Sequence, residues 1–149
     1  MADKDMRGFE DLECYQLAMN VFREAYKVAS SLPVVEKFNL AEQLRRAATS
    51  IILNIAEGYG RFHYLDTLRF YYIARGSIME VLSAFIACDD QKYTSAQVDR
   101  QRELCHAALR SLNGYIRYVR GQQQGKQEYG ERAMKEEATT YLISDLPSE

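Results

Sequence analysis

The chain has 149 residues, with 19 Lys and Arg against 21 Asp and Glu, for a net charge of −2. That length suits one domain, and 47% hydrophobic with 27% charged residues suits a folded, soluble chain. The near-balance of charge excludes a strongly basic nucleic-acid coat but not a local basic face. Two Pro and eight Gly exclude a loop-rich chain, and two His with three Cys leave little material for a metal enzyme.

Helical periodicity runs through most of the sequence. Leu12, Tyr15, Met19, Phe22, Tyr26 and Ala29 recur at intervals of three and four, which predicts one face of a first helix. Ser30-Ser31-Leu32-Pro33 ends it, because proline is poorly tolerated in a helix interior. A second segment restarts near Glu36 and keeps the rhythm through Leu40, Leu44, Ala47, Ile51, Ile55, Gly58 and Phe62. Gly58 and Gly60 near its end suit a left-handed terminal residue.

The third segment starts near Tyr64 and carries two apolar stripes. One is Leu65, Leu68, Tyr72, Met79, Leu82 and Ile86; the other is Tyr71, Ala74, Ile78, Val81 and Phe85. Such width is more than one helical neighbour needs. Either two neighbours cover it within the monomer, or part of it forms a subunit interface. The fourth segment opens on Thr94 and Gln97 in capping-box spacing, followed by Val98, Cys105, Ala108, Leu112, Tyr115 and Val119 on an inner face. Sustained two-residue alternation is lacking, so the expected fold is all-α: an antiparallel up-down-up-down four-helix bundle over residues 1–120. Residues 121–149 hold three basic and six acidic side chains and read as a polar, flexible tail, with a short helix conceivable around 131–141.

An antiparallel turn near residues 62–63 would set Arg45 opposite Glu80 and Glu57 opposite Arg69, two structural ion pairs. Ser77 and Gly76 would fall opposite residues 47–49. One Glu-x-x-His, Glu103 to His106, falls short of the two such motifs that a di-iron bundle needs. Cys105 and His106 are adjacent on a helix and point about 100° apart, so they form no nucleophilic dyad. Phosphate-binding glycine loops and zinc-protease motifs are missing too. No catalytic, cofactor or metal residues are assigned, and no enzyme is expected.

The outer face of the fourth segment is more informative. Arg100, Arg110 and Arg117 alternate there with small residues, Arg102 and Arg120 lie beside them, and Tyr118 supplies a ring. Arginine with aromatic residues is the composition of an RNA-contacting face. A solvated face and a subunit interface are the competing readings. Cys14, Cys88 and Cys105 form no Cys-x-x-Cys pair and read as reduced, buried thiols. Residues 1–13 are charged and show no apolar signal core, and the run Ile51 to Ala56 is too short to span a bilayer. A cytoplasmic protein without membrane contact is expected.

Several blocks carry a resemblance. They are Phe9-Glu10-Asp11-Leu12, Gln43-Leu44-Arg45-Arg46-Ala47-Ala48-Thr49-Ser50-Ile51, Asn54-Ile55-Ala56-Glu57-Gly58 and Ala74-Arg75-Gly76-Ser77-Ile78-Met79-Glu80. In order and spacing they resemble the four-helix bundle proteins encoded in intervening sequences of bacterial 23S rRNA genes. The resemblance covers residues 9–89 well, the fourth segment loosely and the tail not at all. It implies a homo-oligomeric ring, typically a homopentamer, and no catalytic activity. The family also includes the accessory variability determinant of diversity-generating retroelements, which engages a reverse transcriptase and RNA. The function expected on this basis is non-enzymatic binding of RNA or of an RNA-associated protein such as a reverse transcriptase. The alternative is a protein-protein adaptor without direct RNA contact.

Overall fold

A computed structural model describes residues 8–122 apart from Phe62 and Ala96. The tail at 123–149, with its expected short helix, lies outside the described residues. Four helices follow in order: α1 (Glu13–Ser31), α2 (Leu40–Gly60), α3 (Tyr64–Asp90) and α4 (Val98–Gln122). Short 3-10 turns occupy Gly8–Asp11 and Val34–Glu36. Each helix packs on the next, α1 closes against α4, and α1 barely touches α3 across the diagonal. Short connections between neighbours make this an antiparallel up-down-up-down bundle.

Small side chains set the seam of α1. The buried face is Cys14, Ala18, Val21, Ala25, Val28 and Ala29, so the expected stripe is rotated by about one residue. Tyr15 and Phe22 only border the core, and Tyr26 is at the surface. Large rings flank this seam while alanines let the neighbouring helices approach. The α2 face matches the expected rhythm: Leu44, Ala47, Ile51 and Ile55 are fully enclosed. On α3 the stripe Tyr71, Ala74, Ile78, Val81 and Phe85 is the core, whereas the other stripe divides. Leu65, Leu68 and Leu82 are buried, while Met79 and Ile86 face outward.

α2 and α3 approach closely at Gly58. A Cβ there would come 2.7 Å from Tyr71 Cε1 and 3.0 Å from the Thr67 carbonyl oxygen. The expectation of a left-handed glycine at this end is therefore corrected: Gly58 is buried inside α2, and the helix ends on extended Arg61. The residue is small because another helix occupies the space of its side chain. Further along, the Ser50 and Ser77 hydroxyls bond each other at 2.7 Å, and Asn54 Nδ2 donates to the Ser50 carbonyl at 2.7 Å. The Ser50–Ser77 contact fixes the register of the pair, and Asn54 braces Ser50 from within α2.

The connections refine two expected starts. α2 begins at Leu40 rather than Glu36. The Glu36 carboxylate accepts from the Leu40 backbone N–H (3.3 Å), from Asn39 Nδ2 (2.9 Å) and from the Tyr93 hydroxyl (3.1 Å). The Leu40 contact, helped by the other two, holds this carboxyl below its usual range, and the bond from Tyr93 raises that phenol. It also ties the α1–α2 connection to the α3–α4 connection. α4 begins at Val98, with the Gln97 carbonyl accepting from Gln101 N–H at 3.0 Å. The Thr94 hydroxyl is buried with no hydrogen-bond partner among the described residues, so the expected capping box does not form. α3 ends in a paired-bond C-terminal motif: Tyr93 N–H donates to the Cys88 carbonyl and Lys92 N–H to the Asp89 carbonyl, both at 2.9 Å. Lys92 takes the left-handed position, φ 59°, where glycine is the usual choice.

By length and composition Leu65–Asp90 could cross a membrane, which the short run at 51–56 did not suggest. Its most apolar face, however, is the core between α2 and α4, and a core helix passes the same test.

Candidate nucleic-acid interface

Helix α4 does not present its arginines uniformly. Arg100 turns toward α1, where Nη1 donates to Glu24 Oε2 at 3.2 Å. Glu24 is only 5% exposed, and Gln101 Nε2 donates to its other oxygen at 3.3 Å. Arg100 thus balances a buried carboxylate, although its own side chain is 60% exposed. Arg110 Nη2 donates to Glu103 Oε1 at 2.7 Å, and that contact pulls the Glu103 carboxyl below its usual range.

Arg102, Arg117 and Arg120 are exposed and form no ion pair among the described residues. At about 100° per residue they lie within roughly 60° of one another around α4. Tyr118 is also exposed, but at about 100° from Arg117 and about 160° from Arg102 and Arg120 around the helix it stands on a different side of α4. Its ring stacks on Tyr115 at 5.9 Å between centroids, and Tyr115 packs at 5.4 Å on buried Tyr71. The expected five-arginine stripe therefore reduces to three uncommitted cations, with the Tyr118 ring on another side of the helix.

The two expected interhelical ion pairs fare differently. No ion pair joins Arg45 to Glu80 among the described residues: Glu80 is exposed, and Arg45 lines a groove beside Tyr26 and Phe38. Glu57 accepts from Arg61 Nη2, four residues on, at 2.6 Å. Arg69 is exposed on α3. The Arg61 guanidinium also lies 4.7 Å over the Phe70 ring, joining the end of α2 to the start of α3.

Sequence reasoning missed Glu24. Its signal was the seam itself: Val21, Ala25 and Val28 are inward, and Glu24 falls on the same side of the helix. It also missed the groove at the α1–α2 connection, where Tyr26, Lys37, Phe38, Glu42, Arg45, Arg46 and Thr49 surround about 520 Å3.

Among the described residues no group of three or more His, Cys, Asp and Glu side chains could hold a metal ion. The three cysteines are free and buried. Burial pushes the thiols of Cys14 and Cys88 up to about 11 and that of Cys105 to about 12, which suits packing rather than nucleophilic work.

Residues 10–114 match the family model described as 23S rRNA-intervening sequence protein. The chain belongs to that family. Its matched stretch spans the first three helices and most of α4, and the family is a non-catalytic one. The bundle agrees with the architecture that the resemblance implied. Arg117, Tyr118 and Arg120 lie past the end of the match, so they are features of this chain rather than of the family model. No curated protein matches the chain.

Proposed function

We propose that this intervening-sequence protein is a non-enzymatic, oligomeric binding protein that engages RNA, or an RNA-associated protein such as a reverse transcriptase, through the outer face of α4. The observation that carries the reading is the set of unpaired arginines on one side of α4, Arg117 and Arg120 near its C-terminal end and Arg102 near its start. Unpaired guanidinium groups offer phosphate contacts, and their planes can also stack on unpaired bases. Family membership is consistent with an association with RNA.

Self-association would multiply these contacts. Leu53 on α2 and Ile73, Met79 and Ile86 on α3 are exposed apolar side chains that a second copy would cover. A homopentamer is the assembly that the family resemblance implies. The buried, unpaired thiols suit a reducing compartment, so a cytoplasmic location is part of the proposal.

The test is fluorescence anisotropy of a labelled, structured RNA titrated with the full chain at several salt concentrations. Replacing Arg117 and Arg120 by alanine should preserve the fold and weaken binding. It should also reduce the salt slope by about one for each phosphate that the variant no longer neutralises. Arg110→Ala should do less, because Glu103 already matches that charge. An unchanged slope in the double variant would remove this face from the RNA site. No binding by the unaltered chain at low salt would favour the adaptor reading, in which the exposed apolar face holds a protein.

A further inference from the structure

We infer that the groove at the α1–α2 connection receives an unpaired base of single-stranded RNA, with its phosphate held by Arg45 and Lys37. The inference rests on the reading that the partner is RNA, but it uses a different surface and a different observation.

Phe38 is 82% exposed, an unusual position for a phenylalanine in a small bundle. It shares the groove with Tyr26, whose orientation is fixed twice. The Tyr26 hydroxyl bonds Thr49 Oγ1 at 3.1 Å, and its ring lies 4.4 Å from the Phe22 ring. The groove thus has one braced ring from α1 and one free ring from the connection. Its volume, about 520 Å3, lies within the range of small-ligand sites, roughly 300–1,000 Å3.

Charge selects the occupant. Arg46 is paired with Glu42 within the groove, which leaves Arg45 and Lys37 without an ion pair among the described residues. Lys37 Nζ lies 5.3 Å from the centre of the Phe38 ring. The lining is therefore two aromatic rings with two uncompensated cations. A neutral apolar peptide would leave those cations unmatched, and an acidic peptide would make little use of the rings. A nucleotide satisfies both, since its base stacks on a ring while its phosphate meets the cations.

The experiment is anisotropy of a labelled oligouridylate of about 12 nucleotides, a length typical of single-strand sites, titrated with the full chain. Phe38→Ala removes an exposed side chain and should not affect folding. It should weaken binding about tenfold with the salt slope unchanged, while Phe38→Tyr should stay close to the unaltered protein. Arg45→Ala should weaken binding and lower the slope by about 0.7, the value for one phosphate contact to a single strand. Equal binding by Phe38→Ala overturns the inference. So does a Phe38→Ala protein whose mass by light scattering falls while its RNA affinity per protomer holds, because the groove would then belong to a subunit contact. Binding of structured RNA without binding of oligouridylate overturns the groove and leaves the α4 reading standing. Oligouridylate binding that Phe38→Ala weakens and the Arg117 and Arg120 double variant does not supports the groove as the single-strand site, separate from the α4 face.

Discussion

Gly58 offers the sharpest check on how α2 meets α3. In an open helix, Gly→Ala is favourable by about 0.5–1 kcal/mol, because alanine loses less backbone entropy on folding. At Gly58 the added methyl would lie 2.7 Å from Tyr71 Cε1 and 3.0 Å from the Thr67 carbonyl oxygen. Tyr71 is fully buried and packs on Tyr115, and Thr67 O is backbone, so neither neighbour can swing into solvent. The helices must separate or the ring must leave its rotamer, at about 1–3 kcal/mol for an overpacked core. After the propensity gain, Gly58→Ala should destabilise the protein by about 1–2 kcal/mol. Gly60→Ala is the control: a Cβ there meets nothing within 4 Å, and that variant should be neutral or slightly more stable. Urea unfolding at one fixed protomer concentration measures both, since any self-association would make stability concentration-dependent. A Gly58→Ala protein as stable as the Gly60→Ala protein would refute the close approach and the register built on it.

The remaining perturbations probe the buried carboxylate, the α3 terminus, Arg45 and the thiols. Arg100→Met should cost about 1–2 kcal/mol, between a surface pair and a fully buried one, because Glu24 is enclosed while Arg100 is not. Adding Glu24→Gln should recover most of that stability, and a single-variant cost under about 0.5 kcal/mol would show that Glu24 does not need Arg100. Lys92→Gly should stabilise by about 0.5–1 kcal/mol by removing the left-handed penalty; a thermal shift to lower temperature would contradict the terminal geometry. Arg45→Ala should change urea stability by less than about 1 kcal/mol, because Glu80 is exposed and is not stranded as a buried charge. Cys14 and Cys105 ionise later in the folded chain, at about 11 and about 12, than the ordinary value of 9.0. Above pH about 9 the unfolded chain therefore binds fewer protons at these sites, and stability should fall toward pH 11–12. Thiol titration at pH 8 should be slow in the native protein and complete in denaturant, whereas rapid native labelling would show that these thiols are accessible.

Much of the bundle was legible because three-four periodicity needs only a count of apolar residues. That count located α2, α3 and α4 and the enclosed Ile51, Phe85 and Leu112. It misplaced the α1 face because hydrophobicity alone ranks Tyr15, Phe22 and Tyr26 above Ala18 and Ala25. Packing ranks them the other way where two backbones come close, since only small side chains fit the seam. The same logic explains Gly58, where chain ends and glycines suggested a terminal turn but a tyrosine from another helix takes the space. Helix starts were hardest to read. Glu36 serves α2 from a preceding 3-10 turn, and its third partner, Tyr93, is 57 residues away. No local pattern encodes such a contact.

The candidate site shows where composition stops being informative. Five arginines on one helix look equivalent in the sequence, yet their roles depend on acidic side chains that other elements bring to them. Arg100 meets Glu24 from α1, a partner 76 residues away, while Arg110 meets Glu103 on its own helix. Arg102, Arg117 and Arg120 stay unmatched, and an unmatched guanidinium is the kind that can exchange water and counterions for a phosphate. Arg45 reverses the pattern. Expected in a structural pair, it stands in an aromatic groove whose carboxylate, Glu42, is paired with Arg46 instead. Unmatched positive charge thus stands on the α4 face and in the α1–α2 groove, on a chain whose overall charge is slightly negative. Binding there should depend on a few local contacts rather than on a long-range field, so the salt slope should count those contacts and stay shallow compared with that of a basic coat protein.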